Sequence, residues 1–173
     1  VSDFHTGDKV VSNGNHAEYV VVNQNLCTRI PDNTDIKEAS FTVLGSIALH
    51  GLRLSETSLG SKVVVIGLGI IGQLVCRLAE AQGSEVIGID PDTKRTDLST
   101  NFYTSVEEAN MTNVDSVIIT AATSSNEPIE VATKIARNKA KIVVVGDIPL
   151  NISRNDFYYK ELELVVSKSY GPG

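Results

Sequence analysis

A short strand–turn–helix pattern places the tightest constraint on this chain. Residues 63–74 read VVVIGLGIIGQL, in which four apolar residues lead into GLGIIG (67–72) and then into a helical pattern. An apolar run of this kind predicts a strand that is buried on both faces of a sheet. Three glycines between a strand and a helix indicate either a nucleotide-binding turn or only a tight strand-to-helix corner.

Each glycine of this turn has a separate role if the turn binds a dinucleotide. Gly67 permits the tight turn, Gly69 lets the backbone approach a pyrophosphate, and Gly72 lets the helix pack closely on the strand. The N–H groups at the start of the helix then attract the phosphates. An S-adenosylmethionine site is the alternative ligand site, although sheets that bind this ligand rarely keep the third glycine.

An acidic residue ends the second strand of this pattern. Asp90 lies 18 residues beyond Gly72, where a carboxylate can accept hydrogen bonds from an adenosine ribose and repel a 2′-phosphate. This predicts NAD(H) in preference to NADP(H). Lys94 and Arg95 follow four and five residues later, and we interpret them as secondary contacts or as a solvated helix start.

Apolar runs alternate with helical patterns from residue 60 onward. This alternation is typical of βαβ units, so we expect an α/β fold with a doubly wound parallel sheet. The strands are expected at 61–66, 85–90, 101–104, 115–121, 140–146 and 162–167, and the helices at 70–82, 106–110 and 127–138, the last of them capped by Asn126.

The first 55 residues follow a different pattern. Residues 9–11 and 17–22 are rich in β-forming residues and flank an Asn-Gly-Asn sequence, which predicts two strands joined by a turn. They are too short to form a sheet with its own core. Residues 34–55 mix apolar spacings of three and four, which predicts one or two helices packed on a core.

Composition argues against several classes of partner. A net charge of −6 is unsuited to a nucleic-acid or anionic-membrane surface, which needs clustered Lys and Arg. The apolar runs are far shorter than a membrane span. The two cysteines, Cys27 and Cys76, lack the spacing of a disulfide framework or a metal site, so we expect buried thiols and a reducing, cytoplasmic compartment.

Six short motifs occur in a fixed order along the chain. They are GDKV (7–10), HAEYVVV (16–22), IPDNTDIKEASF (30–41), LGSIALHGL (44–52), GSKVVVIGLGIIG (60–72) and KELELVVSKSYG (160–171). In this order they resemble the medium-chain dehydrogenase/reductase family, the relatives of zinc-type alcohol dehydrogenases and quinone reductases. The stretches ATSSNEP (122–128) and VVVGDIPLNI (143–152) are most similar to a branch of bacterial sugar- or polysaccharide-associated dehydrogenases.

The resemblance implies two domains. Residues 1–32 would be the tail of a GroES-like catalytic domain, and residues 33–173 a Rossmann domain with strand order 3-2-1-4-5-6. It also implies a small-molecule substrate and a homodimer formed through the edge strand near 162–168. Because the chain starts at Val1 without Met, we expect a fragment that lacks most of the GroES-like domain and is inactive by itself.

The resemblance implies further cofactor contacts besides the three glycines and Asp90. These would be N–H donors to the pyrophosphate, neighbours of the adenosine ribose, and residues at the ends of two later strands near a ribose and the carboxamide. In that order they are Ile70 and Ile71, Asp92 and Arg95, Thr120 and Ala121, and Val145 and Gly146. Ser124 and Ser125 follow a strand as well, and we interpret them as a polar turn.

The resemblance also bears on zinc. In zinc-dependent members a Cys just before the cofactor-domain helix is a ligand, and the residue at that position here is Val43. His5, His16 and His50 have no metal-site spacing. We therefore expect no zinc, and we expect the group that polarises the carbonyl to lie upstream of Val1.

Two functions follow from these observations. The first is an NAD-dependent oxidoreductase that transfers a hydride between the cofactor and an alcohol or sugar hydroxyl or a carbonyl. The second is a non-catalytic nucleotide-sensing or assembly module built on a Rossmann domain. The partner domain upstream of the fragment would distinguish them.

Overall fold

The computed structural model describes residues 4–96 and 101–171. The chain divides into two units, Val1–Ser46 and Ile47–Gly173. The predicted domain boundary between residues 32 and 33 stays a prediction. The first three residues of the predicted GroES-like tail and the last two of the predicted Rossmann domain lie outside the described residues.

The first unit contains a small antiparallel sheet. Strand β1 (Val10–Ser12) pairs with strand β2 (Cys27–Arg29), which follows a single 3-10 turn at Gln24–Leu26. Helix α1 (Ile36–Ala39) comes next, and the carboxylate of Asp35 caps it by accepting a hydrogen bond from a first-turn N–H. The N-terminal β structure expected from the sequence is therefore present.

The predicted strand at residues 17–22 is wrong. These residues form no strand, and Tyr19 and Val21 are 86% and 103% exposed. A β-forming sequence becomes a strand only where a neighbouring strand satisfies its backbone and packs its side chains. In this unit β1 pairs with β2 and not with residues 17–22. The Asn-Gly-Asn sequence therefore does not form a tight turn between two paired strands.

A six-stranded parallel sheet forms the centre of the second unit within the described ranges. Its strands are β3 (Lys62–Ile66), β4 (Glu85–Ile89), β5 (Phe102–Tyr103), β6 (Val114–Ile119), β7 (Ala136–Val144) and β8 (Glu163–Val166). They lie in the order β5-β4-β3-β6-β7-β8. Numbered within this sheet, that is 3-2-1-4-5-6, so the predicted doubly wound Rossmann sheet is confirmed.

Helices connect these strands and precede them. They are α2 (Thr42–Leu54), α3 (Ile70–Ala81), α4 (Thr93–Thr96), α5 (Val106–Ala109), α6 (Glu127–Ile135) and α7 (Arg154–Lys160). The helical prediction for 34–55 is confirmed as two helices, α1 and α2. Helix α7 was not predicted, because it buries none of its residues fully and carries no apolar stripe. In the described ranges no helix is both long and apolar enough to cross a membrane.

Alternate residues of the central strand β3 face opposite sides of the sheet. Val64 and Ile66 belong to one buried apolar cluster, together with residues of α6. Val63 and Val65 belong to a second buried cluster, together with residues of α2 and α3. Both faces of the sheet are covered, which is why the apolar run in the sequence is continuous and does not alternate with polar residues.

The two cysteines differ in burial. Cys76 lies on the buried face of α3, and burial raises the pKa of its thiol to about 12. Cys27 is only half-buried at the start of β2, so the expectation of a buried thiol is confirmed for Cys76 and is only partly met at Cys27. Both thiols are free.

Helix α6 ends earlier than the predicted residue 138. It stops at Ile135, because the backbone of Ala136 turns extended and begins β7. The amine of Lys160, at the end of α7, donates hydrogen bonds to the carbonyl oxygens of Thr133, Lys134 and Ala136 at 2.7, 3.0 and 2.8 Å. The last carbonyls of a helix lack intrahelical partners, so one ammonium group satisfies the end of α6.

The predicted cap residue of α6 is confirmed by position but not by a side-chain bond. Asn126 occupies the cap position, but its side chain makes no capping bond. The side-chain amide instead bonds to Glu130 and to the backbone of Asn151, in the segment after β7. A long-range partner has displaced the local one.

Candidate functional site

The first and third glycines of the turn after β3 are required by the packing of the protein itself. Gly67 has φ of +97°, and a Cβ there would lie 2.6 Å from the backbone nitrogen of Ala121. A Cβ on Gly72 would lie 1.9 Å from the carbonyl oxygen of Gly67. Both positions therefore accept only glycine, whether or not a ligand binds.

The middle glycine differs from the other two. A Cβ on Gly69 would meet no atom of residues 4–96 and 101–171 within 4 Å, and its φ of −64° and ψ of −172° suit any residue. Gly69 caps α3 at a position where no side chain covers the N–H groups of the first helical turn. The turn therefore leaves open space directly in front of a helix N-terminus, which a corner that only joins strand to helix does not require.

Asp90 is a buried carboxylate at the end of β4, and its residue is 3% exposed. One oxygen, Oδ2, accepts hydrogen bonds from the backbone N–H of Leu68 at 2.7 Å and from Nη1 of Arg95 at 3.0 Å. The other, Oδ1, accepts from the backbone N–H of Asp92 at 2.9 Å. The carboxylate thus holds the glycine turn on one side and the start of α4 on the other.

The surroundings of Asp90 keep it ionised. Burial alone would raise the pKa of its carboxyl, but the N–H groups of Asp92 and Leu68 and the guanidinium of Arg95 together hold the pKa below its usual value. The half-exposed Arg95 also approaches Asp92, with Nε 3.5 Å from Oδ2. One cation therefore serves two carboxylates.

Thr120 supports the glycine turn from the neighbouring strand β6. Its hydroxyl donates to the carbonyl oxygen of Gly67 at 2.5 Å, and its backbone N–H donates to Ile66 at 2.8 Å. The N–H of Ala121 bonds to the same Ile66 carbonyl at 3.1 Å. The absent side chain of Gly72 leaves the room for this hydroxyl, since a Cβ there would lie 2.7 Å from it.

A cleft of about 580 Å³ opens at the carboxyl ends of β3, β4 and β6. Its walls are Ile66, Gly67, Gly69, Ile89, Asp90, Pro91, Arg95, residues 104–107, residues 120–123, Ser125, Glu127, Pro128 and Val131. The strand order reverses beside β3, so this is the switch point of the sheet, where open α/β sheets bind their ligands. The volume lies within the range of small-molecule sites.

Half of the predicted cofactor residues line this cleft. They are Gly67, Gly69, Asp90, Arg95, Thr120 and Ala121. The other half lie around it, namely Ile70, Ile71 and Gly72 in the first turn of α3, Asp92 before α4, and Val145 and Gly146 after β7. The last two donate backbone N–H bonds to the carbonyl of Ile119, at the end of the adjacent strand β6.

The sequence analysis did not predict that residues of α5 and α6, and those just before these helices, line the cleft. Residues 104–107 carry a readable signal, because Ser105 caps α5 and Glu108 reaches back to Thr104. Ser125, which we interpreted as part of a polar turn, lines the cleft, and its hydroxyl accepts the backbone N–H of Glu127. Apolar lining from Pro128 and Val131 is indistinguishable in sequence from an ordinary helix face.

The three histidines differ in their surroundings. His5 is 3.1 Å from a guanidinium nitrogen of Arg29, His16 is exposed, and the ring of His50 packs beside Gly171. In the described part of the chain, no group of three or more His, Cys, Asp or Glu could hold a metal ion. The expectation that the protein works without zinc stays a prediction.

A family comparison matches most of the second unit. The model described as D-isomer specific 2-hydroxyacid dehydrogenase, NAD binding domain, matches residues 41–157. The matched range contains the glycine turn, Asp90 and the whole cleft.

Curated relatives are sugar dehydrogenases. A 2-dehydro-3-deoxy-L-galactonate 5-dehydrogenase from Pseudoalteromonas atlantica is 27% identical over 157 residues, which cover 82% of this chain and 46% of that protein. A D-guloside 3-dehydrogenase from Escherichia coli is 36% identical over 103 residues, covering 57% of this chain and 29% of that protein. The chain thus spans about half the length, or less, of the curated relatives it matches.

Solved structures with the same fold belong to alcohol dehydrogenases. A protein from Sinorhizobium meliloti, assigned as a zinc-binding dehydrogenase and solved with NADP, gives a TM-score of 0.76 at 26% identity, covering 86% of this chain and 49% of that one. An alcohol dehydrogenase superfamily protein from Novosphingobium aromaticivorans gives 0.80 at 17% identity, covering 97% and 56%, and shows the fold alone. The resemblance to zinc-type alcohol dehydrogenases is confirmed.

Proposed function

The chain belongs to the family of NAD-binding domains described for D-isomer specific 2-hydroxyacid dehydrogenases, and we propose that it holds NAD(H) in an oxidoreductase. The proposed reaction is hydride transfer between the nicotinamide ring and an alcohol or sugar hydroxyl or a carbonyl. We propose sugars and alcohols, since the curated relatives act on sugars and on sugar acids, as their names state. The family description names 2-hydroxyacids, so the two comparisons agree on the cofactor domain and differ on the substrate.

One observation carries the proposal, namely the unfilled space in front of Gly69. Gly67 and Gly72 are explained by contacts within the protein, whereas no contact within the described chain requires a glycine at position 69. The space faces the start of α3 and opens into the cleft that Asp90 lines. A backbone that must approach a pyrophosphate closely needs this arrangement.

The residues fit a dinucleotide in the following roles. The N–H groups of Ile70 and Ile71 lie in the first turn of α3, where a helix binds phosphate. Asp90 would accept hydrogen bonds from the adenosine ribose, and the walls from α5 and α6 would enclose the adenine. When bound, the cofactor would accept or donate the hydride, and this chain would hold and orient it.

Charge around Asp90 supports NAD(H) over NADP(H). Arg95 is the cation beside the predicted ribose position, and it is already paired with both Asp90 and Asp92. A 2′-phosphate would bring two further negative charges to a cluster that already carries a net negative charge. The Sinorhizobium relative was solved with NADP, so the preference requires measurement.

Titration of intrinsic NADH and NADPH fluorescence tests both parts of the proposal. We expect NADH to bind at least tenfold more tightly than NADPH, and Asp90→Asn to reduce this ratio. Asn is preferred to Ala because it retains an acceptor for the buried N–H of Leu68. Failure of both nucleotides to bind at millimolar concentration would refute cofactor binding, and an unchanged ratio in Asp90→Asn would refute ribose recognition by Asp90.

We also propose that the reaction proceeds without catalytic zinc, because Val43 stands where zinc-dependent relatives are expected to carry a Cys ligand. We propose a homodimer formed through β8, the edge strand of the sheet, whose Val166 is 59% exposed. A cytoplasmic location is proposed from the two free thiols.

A further inference from the structure

The segment that follows β7 is tied to the segment that follows β6. The backbone N–H of Thr123 donates to the carbonyl oxygen of Asp147 at 3.0 Å. A second tie comes from Asn126, whose side chain bonds to the backbone of Asn151. Residues 147–151 are thus held near both ends.

The amide of Asn126 forms a reciprocal pair with Asn151. Its Nδ2 donates to the Asn151 carbonyl oxygen at 3.1 Å, and its Oδ1 accepts the Asn151 N–H at 3.1 Å. The remaining Nδ2 hydrogen is directed to Oε1 of Glu130 at 2.8 Å. Only an amide can donate and accept in this way, since a carboxylate lacks the donors.

Asn126 lies between the cleft and the end of β7. Its sequence neighbours Ser125 and Glu127 both line the cleft. Its partner segment begins directly after Val145 and Gly146, which follow β7 at the carboxyl edge of the sheet and for which the family resemblance implies a place near the carboxamide of the cofactor. Asn126 is itself only half-buried and does not line the cleft, so it would act through the segment that it holds.

We propose that Asn126 is a positioning residue, which fixes the segment 147–151 so that the end of β7 is preformed for the nicotinamide half of the cofactor. The inference rests on the proposed function. A segment that is already ordered does not have to be ordered on binding, so the bound ligand keeps more of its contact energy. Asn126 itself does not line the cleft that would enclose the adenine, so the adenosine half is expected to depend less on this tie.

Two ligands separate the halves of the site. ADP-ribose carries the adenosine, the pyrophosphate and the second ribose, and NADH adds only the nicotinamide. In Asn126→Ala we expect the Kd of NADH to rise about tenfold, because two hydrogen bonds no longer hold the segment, while the Kd of ADP-ribose changes less than about twofold. Asn126→Asp, which keeps the acceptor and loses both donors, is expected to show the same selective effect.

Asn138→Ala is the matched control, since Asn138 is exposed at the opposite end of β7 from the cleft. It is expected to leave both Kd values unchanged. Isothermal titration with ADP-ribose and NADH fluorescence give the two Kd values needed for the wild type and for each variant. Equal weakening of both ligands in Asn126→Ala, or no weakening of either, would overturn the inference while leaving the proposed function intact. If the wild-type chain binds neither ligand, the proposed function fails and the inference fails with it.

Discussion

Replacing Gly69 by alanine should separate cofactor binding from folding. Among the described residues, the added methyl group meets no atom within 4 Å, and the backbone angles at Gly69 are ordinary for alanine. Replacing glycine by alanine at a helix cap costs up to about 1 kcal/mol, and the reduced freedom of the unfolded chain returns about 0.4–1 kcal/mol. We therefore expect the free energy of unfolding to change by less than about 0.5 kcal/mol.

The same methyl group would stand in the space in front of the α3 N-terminus. A pyrophosphate pushed away from that terminus loses at least one charge-assisted hydrogen bond, which is worth about 1.5–3 kcal/mol. The Kd of NADH should then rise about ten- to a hundredfold. Gly72→Ala is the matched comparison, because its Cβ would lie 1.9 Å from the Gly67 carbonyl oxygen. We expect that variant to lose about 3 kcal/mol of stability.

Urea unfolding followed by circular dichroism measures the stability of both variants, and NADH fluorescence measures binding at a protein concentration where each is folded. The reasoning would be refuted if Gly69→Ala bound NADH as tightly as the wild type. It would also be refuted if Gly69→Ala were destabilised as much as Gly72→Ala, since the open space at Gly69 would then not exist.

Two further predictions concern charged groups. Lys160→Met removes three hydrogen bonds to the end of α6, so we expect a loss of about 2–3 kcal/mol in urea unfolding. The exposed Lys168→Met should change stability by less than about 0.5 kcal/mol, and equal effects of the two variants would contradict the role of Lys160. The folded-state pKa of Asp90 is lowered, so its ionised carboxylate stabilises the protein fully above its unfolded pKa of about 3.9, and this contribution is lost as the pH falls through the folded pKa. When the pH is lowered from 5 to 3, the free energy of unfolding of Asp90→Asn should therefore fall less than that of the wild type, as measured by urea unfolding at each pH. An equal fall in the two proteins would show that Asp90 makes no such contribution.

The centre of the fold could be predicted because its signals are local and strong. A strand buried on both faces must be apolar throughout, and this requirement identified β3, β4, β6 and β7. The turn glycines and Asp90 follow directly on such strands, so their place at one edge of the sheet follows from the parallel order.

The parts that could not be predicted depend on partners far away in sequence. Residues 17–22 have the composition of a strand, but β2 pairs with β1 in their place. Asn126 is a residue type that often caps a helix, but its side-chain amide forms hydrogen bonds with the backbone of Asn151. The last carbonyl groups of α6 accept hydrogen bonds from Lys160, which lies 25 residues beyond Ile135. No local window contains these partners.

The cleft was predictable on one side only. Its floor is made by the turn after β3 and the end of β4, where each residue type is restricted by geometry or charge. Its far wall uses Pro128, Val131 and the start of α5, and these positions only require a suitable shape. Shape is decided by how the helices settle on the sheet, and a sequence pattern does not record it.

The turn glycines have different roles, two in packing and one in leaving space for a ligand, and this difference affects which substitutions such a domain can tolerate during evolution. A single substitution at Gly69 is expected to weaken ligand binding and to leave the fold intact. A substitution at Gly67 or Gly72 is expected to destabilise the fold and to weaken binding as well. A duplicated copy released from catalysis would therefore lose Gly69 first and survive as a folded scaffold. A chain of this fold with a larger residue in place of Gly69 is therefore expected to stay folded and to bind a dinucleotide weakly.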